Sequence, residues 1–329
     1  MKTTAGSDVP VAAVPGFAEL EALYASTPLA QVDRQALAEW SPAPSLWGRL
    51  KPLIARQAGA VIQWSEVDGH RIQYWDTGPS QKPVLVLLHG FGSSKENWLN
   101  LVPFLRSQYR VLVPDLPGFG NSSFSSRCDY RMETQAGRIA SWLAQLGVSQ
   151  FRIAGSSMGG AISALIAARH PALVAGLCLM NSAGAPATRM SMLEAGILAG
   201  KNYLVAETRA EALRLFKVCF HSNKHMLGAV FALLMAGDMR QRRMLNHAIF
   251  GDLVRSLETT YLSLSSITAP TLVLWGDSDQ VLNVSCVDAF LEKIPHARAM
   301  VLPETGHLPM IEKPRDTATV LQAFWNAAL

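Results

Sequence analysis

Phe151-Arg152-Ile153-Ala154-Gly155-Ser156-Ser157-Met158-Gly159-Gly160 is the stretch that decides the fold. Phe151–Ala154 is a short, mostly apolar run of the kind that forms a buried strand. From Met158 to His170 the pattern turns helical. Between them lies G-x-S-x-G, so the segment reads as strand, sharp turn, helix, the context that a nucleophile elbow requires. Such a turn lifts the Ser157 hydroxyl above the sheet and leaves the Met158 N–H at the start of the helix. Glycines two places before and two places after Ser157 relieve the crowding of so tight a turn.

Outward from this point the chain repeats the alternation. Val84–Leu88, Val111–Val113, Leu173–Met180, Thr271–Trp275 and Arg298–Leu302 are short apolar runs, each separated from the next by glycine-rich turns or helical stretches. Strands alternating with helices imply crossover connections and a mostly parallel sheet. Continuous rather than alternating apolar runs fit strands buried on both faces. Ahead of them, Val61–Val67 and Arg71–Trp75 alternate around Asp68-Gly69, a hairpin signal that adds an antiparallel edge. The predicted fold class is therefore α/β, a mostly parallel central sheet flanked by helices.

Two regions stand outside this pattern. Residues 1–60 form an N-terminal helical extension, with helical segments expected at Phe17–Ser26 and Arg34–Trp40. In Ser45–Ala60, Leu46, Leu50, Leu53 and Ile54 share one helical face, and the charges are Arg49, Lys51 and Arg56. The expectation is a helix packed on its own domain. A basic amphipathic helix of this kind can also lie on an anionic lipid surface. Residues 183–266 are helical in period and interrupt the strands, which divides the core into 61–182 and 267–329 with a helical cap inserted between them. Between Ala185 and Arg255 ten Lys or Arg face five Asp or Glu, and residues 183–266 hold Met190, Met192, Met226, Met235, Met239 and Met244. Methionine suits an adaptable apolar groove, so Met226, Phe231 and Met235, with Leu308 beyond the cap, are the expected substrate contacts.

Serine needs an adjacent base held by a third group before it attacks anything. His307, in Gly306-His307-Leu308-Pro309 just past the last strand, is placed to reach Ser157, whereas His296 precedes that strand. The acid should follow Thr271–Trp275, and in Gly276-Asp277-Ser278-Asp279 it is Asp279 that has the reach, with Asp277 bracing the turn. The position after the preceding strand is Asn181-Ser182 and offers no carboxylate. His89-Gly90-Phe91-Gly92 follows Val84–Leu88 and lets the Phe91 N–H join the Met158 N–H as an oxyanion donor pair. His89 and Asp115, in Asp115-Leu116-Pro117-Gly118-Phe119-Gly120, read as loop braces. His221 and His225 are four apart, but neither a third ligand nor a glutamate accompanies them, so no metal site is expected. Arg240, Arg242 and Arg243 read as a solvated helix face.

Taken together, HGFG, DLPGFG, GSSMGG and the pair GDSD and GHLP resemble the α/β-hydrolase family over about Val61 to Leu329, with its catalytic triad and oxyanion positions falling on Ser157, Asp279, His307, Phe91 and Met158. The motifs around Ser157 are similar to those of bacterial lipases and monoacylglycerol lipases. The resemblance implies a carboxylic-ester hydrolase working through an acyl-enzyme without a cofactor, on medium to long acyl chains. Phospholipases and carbon–carbon bond hydrolases share the triad, and receptors on this fold can retain it.

The chain of 329 residues is 49% hydrophobic and 16% charged, which excludes a disordered polyelectrolyte. A net charge of +4 is too mild to point to nucleic acid. Cys128, Cys178, Cys219 and Cys286 are far apart in sequence and read as reduced thiols. The longest apolar stretch, Met226–Gly237, is too short to span a bilayer. No signal peptide is read, so the expected setting is the cytoplasm, with peripheral lipid contact through the cap and residues 45–60. Oligomeric state is left open.

Overall fold

The computed structural model describes residues 14–41, 45–222 and 236–327. The strands are β1 (Val61–Val67), β2 (His70–Asp76), β3 (Val84–Leu88), β4 (Arg110–Pro114), β5 (Phe151–Ser156), β6 (Val174–Met180), β7 (Thr271–Gly276) and β8 (Arg298–Leu302). They form one sheet in the order β1-β2-β4-β3-β5-β6-β7-β8. β1 with β2 and β2 with β4 run antiparallel, and every other pairing is parallel. The β1–β2 turn has positive φ at both Asp68 and Gly69, as a two-residue hairpin of primed type requires. β5 and β7 are buried along their whole length, which fits their largely apolar sequences, Arg152 of β5 apart. β8 closes one edge and exposes four of its five residues.

Helices cover both faces. Met132–Gln145 and Met158–Arg169 pack on one side, where Ile139, Trp142, Ile162 and Leu165 join a core with Val86, Ile153 and Leu179. Val102–Leu105 and Pro314–Ala327 pack on the other, where Trp98, Leu321 and Trp325 meet Leu85, Leu87 and Leu272. Between β6 and β7 the chain is helical at Met192–Leu198, Arg209–Cys219, 236–241, Arg243–Val254 and Leu257–Ser263. Capping boxes at Ser191/Glu194 and Thr208/Glu211 start the first two.

The N-terminal region departs from its sequence pattern. Phe17–Ala25 is a helix and buries Leu20 and Tyr24, the latter edge-on to Phe250. Arg34–Trp40 is helical only over the 3-10 turn Gln35–Leu37. Leu46–Ala58 is one helix, capped by Ser45 and ended by Gly59 in the left-handed region. Its buried positions are Trp47, Lys51, Ala55 and Ala58, while Leu53 is 64% exposed. Of the expected apolar face, Leu53 is exposed while Ile54 is partly buried against the core. Lys51 lies on the buried side with Trp47, Ala55 and Ala58, its ammonium donating to Asn121 Oδ1 at 3.1 Å and standing 3.7 Å from Glu96 Oε2.

Candidate active site

β5 delivers Ser157 in a sparsely populated conformation, φ 54° and ψ −121°. Such a residue costs about 1–3 kcal/mol and persists only where its surroundings dictate it. Here the Ser157 N–H donates to Met180 O at 3.0 Å, and Ser157 O accepts from Gly160 and Ala183. The flanking glycines are required by close approach. A Cβ at Gly155 would lie 2.0 Å from Gly159 O, and one at Gly159 would lie 2.3 Å from Leu88 O. Helix Met158–Arg169 therefore sits against β3 and brings Ser157 under the loop that follows it. A Cβ on Gly90 would be 3.1 Å from Ser157 Cβ.

The loops after β7 and β8 meet beside this serine. Asp279 Oδ2 accepts from His307 Nδ1 at 2.8 Å, and Asp279 Oδ1 accepts from the Val281 and Leu282 N–H groups. Both side chains are buried, Asp279 at 6% exposure and His307 at 5%. With Nδ1 committed to the carboxylate, Nε2 is the remaining ring nitrogen. Asp277 instead braces the turn: it accepts from Ser278 Oγ and the Thr305 N–H. Burial acts to raise its carboxyl, but these donors and the Glu304 N–H bring it below the usual range. His296 bonds Ala269 O and takes no part.

Asn181 was not foreseen as a site residue. It is fully buried with φ 44°, and its Nδ2 donates to Asp279 Oδ2 at 2.7 Å, the oxygen that also holds His307. The only sequence signal was its place after β6, a position read for a missing carboxylate rather than for a donor.

The loop after β3 is braced from below. His89 is fully buried; its Nδ1 lies 2.8 Å from Gly90 O and its Nε2 accepts from the Leu116 N–H. Burial pushes this imidazole down and keeps it neutral. Asp115 accepts from the Lys95 N–H, Lys95 Nζ and the Asn121 N–H. Phe91 packs edge-on to Phe119 and Phe250.

A cavity of about 390 Å³ opens over these residues. Gly90, Phe91, Ser157 and His307 line it, and Leu204, Leu215, Phe216, Phe220 and Ile311 give it apolar walls. Leu308 lines it too, and Met239 is its methionine among the described residues. Met244 is instead exposed, and Met226, Phe231 and Met235 lie outside the described residues, as does His225. Leu215, Phe216 and Cys219 recur at helical spacing, and that spacing was the readable sign of this wall. Met158 is buried directly behind Ser157.

The helical insertion is tied to the histidine loop. Cys219 O accepts from the His307 N–H at 2.8 Å. Glu312 bridges the two segments, Oε1 accepting from the Gly306 N–H and Oε2 from the His221 N–H. His221 Nδ1 also meets Ser278 Oγ at 2.8 Å. Arg242 departs from the expected solvated face: it donates to the carbonyls of Gly118 and Gly120 and lies over the Trp40 ring. Arg243 pairs with Glu207 at the surface. All four cysteines are unpaired. Among the described residues there is no cluster suited to a metal ion and no helix long and apolar enough to cross a membrane.

Residues 83–314 match the family model described as alpha/beta hydrolase fold. The chain is 30% identical over 262 residues to Lipase 3 of Moraxella sp. (strain TA144), covering 78% of this chain and 81% of the relative. It is 27% identical over 285 residues to human monoacylglycerol lipase ABHD6, covering 82% and 83% respectively. A solved membrane phospholipase A, described as a bacterial virulence factor, superposes with a TM-score of 0.81 at 35% identity over 86% of this chain and 91% of that one. The elbow, the crossover sheet and these matches agree: the chain belongs to the α/β-hydrolase family.

Proposed function

We propose that the protein is a serine hydrolase of lipid carboxylic esters. One observation carries this: Ser157 and His307, the latter fixed through Nδ1 to Asp279, line one largely apolar cavity. The cavity is of a size that holds a small-molecule ligand, and its walls suit a medium to long acyl chain. Ser157 Oγ attacks the ester carbonyl while His307 Nε2 takes its proton. Asp279 holds the imidazole in the required tautomer and stabilises its charged form. The N–H groups of Phe91 and Met158 hold the tetrahedral oxyanion. His307 then protonates the departing alcohol, and a water molecule, activated in the same way, releases the acid and frees Ser157. Residues 183–266 act as the cap over this cavity.

Likeness to lipases and to a monoacylglycerol lipase supports a glycerolipid with one acyl chain in the cavity, and likeness to a phospholipase A supports a phosphate-bearing version of it. The test is a chain-length series of p-nitrophenyl esters and monoacylglycerols with wild type and Ser157→Ala, alongside fluorophosphonate labelling. Loss of turnover and of labelling in Ser157→Ala is expected. Full activity of that variant would refute the mechanism.

A further inference from the structure

A second cavity, of about 320 Å³, adjoins the catalytic one. The two share Gly92, Ser93 and Met239, so the loop after β3 is the partition between them. The chemistry of the second cavity is different. Arg49 and Lys51 enter from helix Leu46–Ala58 and Arg242 from the helical insertion, against one carboxylate, Asp238, among the described lining residues. Ser45, Trp47 and Gly48, at the start of that helix, also line it, and the helix has no acidic residue in its first turn. Ser45 Oγ caps the Gly48 N–H there, and with no acid in the first turn the dipole of the helix start favours an anion.

Arg242 gives the second indication. Its guanidinium N–H groups go to two neutral carbonyls and its face to the Trp40 ring. Among the ion pairs of the described residues none includes Arg242. Lys51 is likewise only loosely paired, at 3.7 Å from Glu96. Lys51 shares Glu96, and Arg242 feels only the longer-range charges of Asp115 and Asp238, so a further anion in the hollow is attracted to both. Three cations and a helix start converging on one hollow suit a phosphate group, with its several acceptor oxygens, better than a single carboxylate.

The geometry points to a subsite for the phosphate of the lipid ester itself: with the acyl chain in the first cavity and the scissile carbonyl at Ser157, the glycerol crosses at Gly92–Ser93 and its phosphate enters the second cavity. This assignment rests on Ser157 being the nucleophile, and it makes a monoacyl glycerophosphate a better substrate than the corresponding monoacylglycerol.

Steady-state hydrolysis of 1-oleoyl glycerol 3-phosphate and 1-oleoylglycerol, presented in the same neutral detergent micelles, tests it. Arg49 is the residue to change, because its side chain is exposed and its removal leaves the core intact. In Arg49→Gln the ratio of kcat/KM, phosphate-bearing over neutral, should fall about tenfold, the loss of one charge-assisted hydrogen bond. Arg49→Lys should restore most of it, and Asp238→Asn should raise the ratio above wild type. A ratio unchanged by all three variants overturns the subsite. Inhibition of 1-oleoylglycerol hydrolysis by inorganic phosphate, with no advantage for the phosphate-bearing lipid, identifies a free anion instead and also overturns the assignment. Turnover of neither lipid together with absent fluorophosphonate labelling overturns the nucleophile, a failure distinct from intact labelling with an unchanged ratio.

Discussion

Lys95→Met is the change that best tests how the loop after β3 is supported. Lys95 and Asp115 are both inaccessible to solvent, and Nζ lies 2.6 Å from Oδ2. Unit charges at that separation attract by about 6 kcal/mol at an effective dielectric of about 20, which offsets much of the desolvation of both ions. Methionine keeps most of the volume and removes the charge. Asp115 would retain the backbone N–H groups of Lys95 and Asn121 but lose its close cation. Breaking one side of a buried pair costs about 3–5 kcal/mol. The pH dependence sharpens the test. In the wild type, burial would raise the Asp115 carboxyl, but the charges of Lys95 and Lys51 and the Asn121 N–H hold it down at about 2. A folded value below the unfolded one gives stability that is present above about pH 4 and is lost as pH falls toward 2. In Lys95→Met burial prevails and the carboxyl moves up, so the orphan charge can be neutralised by a proton. Urea unfolding of both proteins should show a deficit of about 3–5 kcal/mol at pH 7.5 that shrinks by at least about 1 kcal/mol at pH 5. A deficit under about 1 kcal/mol at pH 7.5, or one indifferent to pH, would refute this account of the pair.

Two further outcomes are expected. Asn181→Gly keeps the positive φ while deleting the donor to Asp279, and should lower kcat by about tenfold, the worth of one hydrogen bond to a charged group; unchanged kcat in stopped-flow ester assays would show that Asp279 is held well enough without it. Gly159→Ala places a methyl 2.3 Å from Leu88 O and 2.6 Å from His89 O, fixed backbone atoms of β3 and its loop, and should cost about 1–3 kcal/mol in urea unfolding.

The sheet was legible because doubly buried strands leave a one-dimensional trace. Val61–Val67, Val84–Leu88 and Arg298–Leu302 coincide with β1, β3 and β8 residue for residue. The turn motifs were legible for a similar reason: a Cβ at Gly155 or Gly159 would collide with backbone, so two glycines between a strand and a helix mark the turn that carries Ser157. What periodicity could not carry was polar chemistry satisfied at long range. The buried face of Leu46–Ala58 includes Lys51, which reaches Glu96 and Asn121, residues 45 and 70 positions away. Arg242 joins two carbonyls more than 120 positions off, and a basic run in sequence gives no sign of it. Asn181 contributes through a hydrogen bond to Asp279, a contact visible only once β6 and β7 are side by side.

The bonds from Cys219 and Glu312 to the histidine loop have a consequence for the proposed base. The His307 N–H rests on the helical insertion, and the Gly306 N–H shares Glu312 with His221 of that insertion. In the proposed mechanism, a displacement of residues 219–221 takes the acceptor away from the His307 backbone N–H while the Asp279 contact to Nδ1 stays in place. The seat of the proposed base is thereby coupled to the position of the helical insertion, and a shift of one is felt by the other.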